Sequence, residues 1–311
     1  MLRAPIFRNN EMPADLTDEH ILSFFEPIFD VPYEQARRRF YAKPYADIDI
    51  YHIKNRDVKE ILKEFDIEFF GFCPFSALEQ GLFNNAAAKR LPANSKTVIT
   101  FLFPYKVNEK RPKNISRYAA VADYHLVCGE MLKSIANLLK KRYQNFDFVP
   151  FIDNSPINEV KAAVLSGLGV VGKNKLLINK KYGSYCFIGE IITDCEIQSV
   201  NILNTDCINC GACVKVCPSG FLGDKNNKCL SAITQQKAPL NEKEKLLIKN
   251  SGVIWGCDVC QQVCPMNKTV VTTPIKQFIS SYRDEYIKGE DINKRAYEWR
   301  GEKVILRNYE L

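Results

Sequence analysis

The chain has 311 residues, enough for a substantial core and a second domain, and its 46% hydrophobic and 25% charged content is ordinary for a soluble globular protein. No apolar run approaches the ~18 residues of a membrane span, and MLRAPIFRNNEMPADL lacks the apolar core of a signal peptide, so a cytoplasmic chain with no membrane attachment is expected. The net charge of +7 permits a polyanionic partner such as RNA without demanding one.

Residues 1–55 read as an N-terminal extension in which Leu16–Phe29 has the spacing of a short amphipathic helix; no chemistry attaches to it. An α/β rhythm begins near Arg56. RDVKEILKEF places Val58, Ile61, Leu62 and Phe65 on one helical face, and IEFFGFCPF and KTVITFLFPY read as buried strands. Between them SALEQGLFNNAAAKRLP reads as helix and loop. A long helix is expected over about Ala119–Tyr143, then a strand at VPFID. Ser155 and Pro156 have the chemistry of an N-cap and a first helical position, for a helix ending at Gly167. LLINKKYGSYCFIGEIITD reads as two strands about a Tyr-Gly-Ser turn. GLGVVG at 167–172 has the G-x-G-x-x-G spacing, but it follows a helix and leads into a strand. That inverts the dinucleotide context, so NAD binding is rejected. Three glycines there suit close backbone approach to a bulky group, with Lys173 and Asn174 beside it.

From about residue 204 to 268 the chain becomes Cys-rich. Cys207, Cys210, Cys213 and Cys217, followed by Pro218, have the bacterial ferredoxin spacing, in which the fourth thiolate serves a second cluster. Structural zinc, whose sites usually show two separated pairs, fits less well. The second run supplies Cys257, Cys260 and Cys264, one short of the eight thiolates that two 4Fe–4S clusters need, and Cys229 is the one cysteine between the runs. The interlaced pattern assigns Cys207, Cys210, Cys213 and Cys264 to one cluster, and Cys217, Cys229, Cys257 and Cys260 to the other. Cys73, Cys128, Cys186 and Cys195 lie in apolar contexts and read as core. The last forty residues read as a basic tail whose Arg295, Arg300, Lys303, Arg307, Tyr297 and Trp299 suit phosphate contact and base stacking, or a solvated, loosely packed end.

Taken together, RYAAVADYH (117–125), FIDNSP (151–156), GLGVVGKNKLLI (167–178), GSYCFIGEIITD (183–194) and both Cys runs resemble epoxyqueuosine reductase, the cobalamin-dependent iron–sulfur family that completes queuosine in tRNA. The resemblance covers about residues 56–268, and WRGEKVILRN is similar to the end of short members. It implies an α/β (α+β) fold: a nitroreductase-like cobalamin-binding catalytic domain (56–203), related to reductive dehalogenases, followed by a bacterial-type two-cluster ferredoxin module (204–268) and a tail (269–311). It implies electrons passing through two 4Fe–4S clusters to give cob(I)alamin, which attacks the epoxide-bearing ring. Partners would be tRNA as substrate and an external electron donor such as a flavodoxin or ferredoxin system.

By the same resemblance Asp153 stands at the family's general acid, and Ser116, Arg117, Asp153, Gly169, Lys173, Asn174 and Leu177 fall where the family lines its cobalamin. A carboxyl desolvated at a strand end is expected to have a raised pKa and to stay protonated near neutrality; capping the next helix is the other role open to Asp153. His125 is read as a satisfied helix histidine. Departures from the family pattern are Val170 in place of an aromatic, Asn154-Ser155 in place of Thr-Gly, and the lack of the helical repeats that grip tRNA in longer members. Two alternatives remain open: a corrinoid iron–sulfur reductase acting on a small electrophile, and a plain electron-transfer ferredoxin fusion.

Overall fold

The computed structural model describes residues 55–197 and 206–311, so the candidate helix at Leu16–Phe29 lies outside the described residues. The first element is α1 (Asn55–Leu62), whose Val58, Ile61 and Leu62 are buried as their spacing predicts. β1 (Phe70–Pro74) and β2 (Thr97–Pro104) follow, and the segment between them is three short 3-10 turns rather than a helix. Pro92 and the Asn-Asn and Pro-Phe steps of that segment leave no long apolar face to nucleate a longer element. Next come α2 (Tyr124–Arg142), β3 (Phe148–Ile152), α3 (Glu159–Leu165), the short pair β4 (Val170–Val171) and β5 (Leu177–Ile178), and β6 (Cys186–Thr193).

β1, β2, β6 and β3 form an antiparallel sheet in that order. β2 is buried along its whole length because helices cover both faces. The period of two divides its side chains cleanly. Ile99, Phe101 and Phe103 pack with Leu132, Ile135 and Leu139 of α2, whereas Val98 and Leu102 join the clusters that hold Ala162 and Ala163 of α3. A strand apolar on both faces is what the unbroken run TVITFLFP encodes.

α3 starts later than expected. Its cap is Asn158, whose Oδ1 accepts the Lys161 N–H at 2.9 Å, and Ser155 is buried in the preceding turn. That turn is tight: Asp153 takes φ +58°, and the Asn154 and Ser155 N–H groups bond back to Ile152 and Asp153 carbonyls at 2.8 and 2.7 Å. Asp tolerates the left-handed region better than most residues, so the chain turns there before the helix begins.

The Cys-rich segment contributes α4 (Ala212–Lys215), α5 (Leu230–Gln235), α6 (Glu242–Ser251) and α7 (Val259–Gln262). A buried polar network ties it to the sheet. Gln261 Oε1 accepts from the Tyr105 hydroxyl at 3.2 Å and from Ser184 at 3.1 Å. Asn267 Nδ2 donates to Ser184 Oγ and to the Gln261 carbonyl, each at 2.8 Å, while its Oδ1 accepts the Ser184 N–H at 2.9 Å. Gly183, at φ +59°, makes room for this: a Cβ there would sit 2.1 Å from Asn267 Oδ1. Asp258 adds a bond from the Arg117 N–H at 2.6 Å.

Residues 269–311 are built into the fold rather than loosely solvated. α8 (Lys276–Ser280) inserts Phe278 into the core beside Phe187, and α9 (Glu302–Tyr309) buries Val304 and Ile305 near Trp255. Asn308 Nδ2 bonds the Thr234 and Ile254 carbonyls at 2.7 and 2.8 Å. Apolar residues spaced between the charges, not the net charge, decide the packing here. The described residues form one compact unit. Phe278→Ala should cost about 3–5 kcal/mol of stability, as for other fully buried aromatics, measured by chemical unfolding; a loss within the range of a surface substitution would show that the tail does not support the core.

Candidate active site

Each of the two thiol quartets paired by the interlaced assignment lines one cavity. Cys207, Cys210, Cys213 and Cys264 surround the first together with Gly172, Lys173 and Asn174. Cys217, Cys229, Cys257 and Cys260 line the second, of about 430 Å³. Among the described residues no three His, Cys, Asp or Glu side chains converge on a single ion. A 4Fe–4S cubane takes one thiolate at each of its four irons, so four cysteines around one cavity fit a cluster.

A third cavity, of about 330 Å³, lies beside the second and shares Tyr118, Leu176, Ser184, Cys186, Phe187 and Ser231 with it. Its walls come from α2, the turn after β3, the loop into β6, α5 and the C-terminal segment. Val160, Leu177, Phe187 and Ile188 give it apolar flanks suited to a flat macrocycle, and at the second cavity Asn174 Nδ2 is a buried donor without a partner. These features fit a corrin between the second quartet and Asp153.

Of the residues placed by resemblance at the cobalamin, Asp153 and Leu177 line this third cavity and Asn174 lines the first two. The other four lie elsewhere. Ser116 is buried, its N–H bonded to the Trp255 carbonyl at 2.9 Å. The Arg117 guanidinium is spent on the carbonyls of Asn108, Glu109 and Lys110. Gly169 is packed against β5, where a Cβ would meet the Ile178 carbonyl at 2.5 Å; close strand packing is its use. Lys173 turns toward the first quartet and reaches the Asn209 carbonyl at 3.5 Å. The bulky group beside the glycine run is the first cluster's cavity. Cys73, Cys128 and Cys195 are core residues, but Cys186 lines the second and third cavities.

The chemistry concentrates at a chain of three groups. His125 sits in the first turn of α2, and its Nδ1 lies 2.8 Å from Asp123 Oδ1, the residue that also caps the helix. Its Nε2 lies 3.2 Å from Asp153 Oδ2. Held between two carboxylates, the imidazole is raised to about 9, the Asp123 bond contributing most and the Asp153 bond next. Asp153 is shifted the other way: the His125 bond outweighs burial and lowers it, so its carboxylate is ionised at rest. The expected raised carboxyl is thus corrected, and the proton resides on His125. Sequence reasoning passed over His125 because one histidine on a helix is common; the signal was Asp123 two residues before it, in DYH.

Two glutamates were also missed. Glu159 opens α3 and lines the third cavity; Glu190, in the centre of β6, is 0% exposed. A charged residue inside the apolar run FIGEIIT was the sequence signal for it. At the cavity mouth stands Trp299, 51% exposed, with the Arg300 guanidinium 3.6 Å from its ring centroid. Arg295 and Tyr297 are buried, and Arg307 is bonded to the Gln236 and Ala238 carbonyls, which removes them from the surface imagined for nucleic acid.

Residues 206–267 match the family described as a 4Fe-4S double cluster binding domain, and residues 86–154 match that described as epoxyqueuosine reductase QueG, DUF1730. The chain is 33% identical to an epoxyqueuosine reductase of Lactococcus garvieae over 241 residues, covering 69% of this chain and 68% of that one. It is 32% identical to the Escherichia coli epoxyqueuosine reductase, over 60% of this chain and 49% of that one. The solved epoxyqueuosine reductase of Streptococcus thermophilus superposes with a TM-score of 0.66 at 26% identity, covering 81% of this chain and 79% of the other. An epoxyqueuosine reductase solved with an epoxyqueuosine-modified tRNA-Tyr stem loop shares the fold, with a TM-score of 0.68 at 22% identity over the same shares.

Cys229→Ser should cut bound iron by about half, from the eight irons of two 4Fe–4S clusters, and remove one cluster's reduced EPR signal, while Cys128→Ser keeps both. Full iron content in Cys229→Ser would remove Cys229 from the ligand set.

Proposed function

The chain belongs to the epoxyqueuosine reductase family, and within that activity we propose that the Asp123–His125–Asp153 chain supplies a proton to the departing epoxide oxygen. The reaction is the reduction of epoxyqueuosine to queuosine in tRNA, with two 4Fe–4S clusters and cobalamin as cofactors. When bound, these groups supply low-potential electrons and a strongly nucleophilic cobalt beside the epoxide. Cys207, Cys210, Cys213 and Cys264 would hold one cluster, and Cys217, Cys229, Cys257 and Cys260 the other. Leu177, Phe187 and Ile188 would flank the corrin, with Asn174 donating a hydrogen bond to it.

The observation that carries the proton assignment is the His125 imidazole bridging Asp123 and Asp153 at the wall of the cavity. Opening an epoxide develops negative charge on oxygen, and a proton within hydrogen-bond reach lowers that barrier. Asp123 fixes the ring and holds its charge. Asp153, on its left-handed turn and with its side chain 56% exposed, takes the proton from Nε2 and presents it to the oxygen. Two carboxylates around one imidazole store a proton at neutral pH, where a lone carboxyl would have lost it. The Trp299 ring at the mouth offers a face for a base of the anticodon loop, with Arg300 positioned for phosphate. The electron donor is read as an external flavodoxin or ferredoxin delivering to the cysteine quartets.

Turnover should show a limb that falls as pH rises through about 9, set by loss of the His125 proton. Asp153→Asn and His125→Gln should lower kcat by about 10²-fold or more with little change in KM, scored by nucleoside mass spectrometry of epoxyqueuosine-containing tRNA. Wild-type kcat in Asp153→Asn would end the proton assignment. Loss of one base stack is worth about 1–3 kcal/mol, so Trp299→Ala should raise KM for tRNA about 10-fold and leave kcat near wild type. An unchanged KM would place the base elsewhere.

A further inference from the structure

Removing an epoxide oxygen as water breaks two C–O bonds, forms one C=C bond and two O–H bonds, and consumes two electrons and two protons. The electrons come through the clusters of the established activity. The His125–Asp153 pair holds one transferable proton, so a second must enter the cavity in each cycle.

Glu159 is the remaining acidic group there, and Glu190 is a fully buried carboxyl that senses its charge. Glu159 lines the cavity with Asp153 and His125, and its Oε2 is buried without a hydrogen-bond partner. Behind it Glu190 projects from β6, opposite Thr100 and Phe151 in the register, fully buried and with neither oxygen in hydrogen-bond geometry. The groups around Glu190 give it no counter-ion: Asp153 and Glu159 are acidic, Cys73 of β1 is a buried thiol, and the Ser155 hydroxyl lies just close enough to favour ionisation slightly. Tyr124 and His125 face the same cavity from α2, and the His125 charge is already shared by Asp123 and Asp153. Two buried carboxyl groups without a cation cannot both ionise. Burial with the Asp153 charge raises Glu159 to about 7, and burial, then the Glu159 charge, pushes Glu190 well above the usual carboxylate range.

We propose that Glu159, on the wall of the cavity that holds Asp153 and His125, supplies the second proton of epoxide removal. The proposal rests on the epoxyqueuosine reaction. Asp153 protonates the oxygen as the first C–O bond breaks. Glu159 protonates the resulting hydroxyl as the second breaks, so that water leaves and Glu159 is left as carboxylate. Solvent reloads Glu159 through the open cavity between turnovers. Glu190 does not line the cavity; the Glu159 charge raises it further, so it stays the neutral member of the two and takes no part in the transfer.

The test pairs infrared spectra of the cofactor-loaded enzyme with turnover of epoxyqueuosine-containing tRNA. Wild type at pH 7 should show protonated-carboxyl C=O absorption that shifts in D₂O, part of which is lost in Glu159→Gln. Glu159→Gln should lower kcat about 100-fold with KM unchanged, and Glu159→Asp should restore part of it. Glu190→Gln, the isostere of the neutral acid, should fold normally and leave the pH dependence of kcat at its wild-type position, because a neutral Glu190 adds no charge to Glu159. Folding offers an independent reading. A carboxyl raised in the folded state contributes stability that is full below about 4.5 and lost as pH rises through about 7, so Glu159→Gln should flatten that decline in melting temperature. Carboxyl absorption at pH 7 that is the same in active wild type and in Glu159→Gln, or Glu159→Gln with wild-type kcat, overturns the second proton donor alone. Wild type with no turnover of this tRNA overturns the reaction on which it rests.

Discussion

The polar knot of Tyr105, Ser184, Gln261 and Asn267 sets the position of everything catalytic in this molecule. Gln261 follows Cys260 and Asn267 follows Cys264 by three residues, while Ser184 introduces β6, so one buried network fixes cluster ligands and cavity wall in a common frame. Each such bond contributes about 0.5–1.5 kcal/mol, but leaving one of these buried groups unpaired costs about 1–3 kcal/mol. The asymmetry makes the arrangement specific: any small shift of the Cys-rich segment strands several donors and acceptors together. Apolar packing alone, being non-directional, would tolerate such a slide.

The site divides its acidic groups by environment. Asp123 and Asp153 flank the His125 imidazole, which lowers Asp153; Glu159 and Glu190 have no cation beside them and are raised by burial. The same functional group thus serves two purposes a short distance apart. This division follows from backbone placement. The left-handed turn at Asp153 swings its carboxylate toward α2 and His125, while Glu190 is fixed within the sheet by strand register.

Much of the architecture is legible in the sequence because its causes are local. The run TVITFLFP encodes a strand covered on both faces, and cysteine spacing with one leftover thiol leads to two quartets that the fold gathers around separate cavities. What escapes is whatever depends on neighbours distant in the chain. Whether Asp153 is protonated depends on a histidine 28 residues earlier, and whether Gly169 faces a ligand or a strand depends on the path of Ile178. The helix start moved from Ser155 to Asn158 because a left-handed residue, invisible to capping preferences, intervened. The charged end misled by composition: Arg295 and Arg307 lie among backbone carbonyls, and Trp299 is left at the opening.

The walls of the third cavity are drawn from near residues 118–125, 153–160, 176–188, 231–235 and 296–299. No contiguous stretch contains a working fraction of it. A pocket sewn from such distant segments has high contact order, so it closes only when the sheet, the Cys-rich segment and the stretch around Ala296 and Trp299 have come together. Ligand thiolates from two separated runs must also meet before either cluster can bind, which couples metal insertion to the same late step. Cluster insertion and closure of the pocket are therefore a single late event, and the corrin has a place only after it. A chain starved of iron would be expected to lose its cofactor pocket along with its clusters.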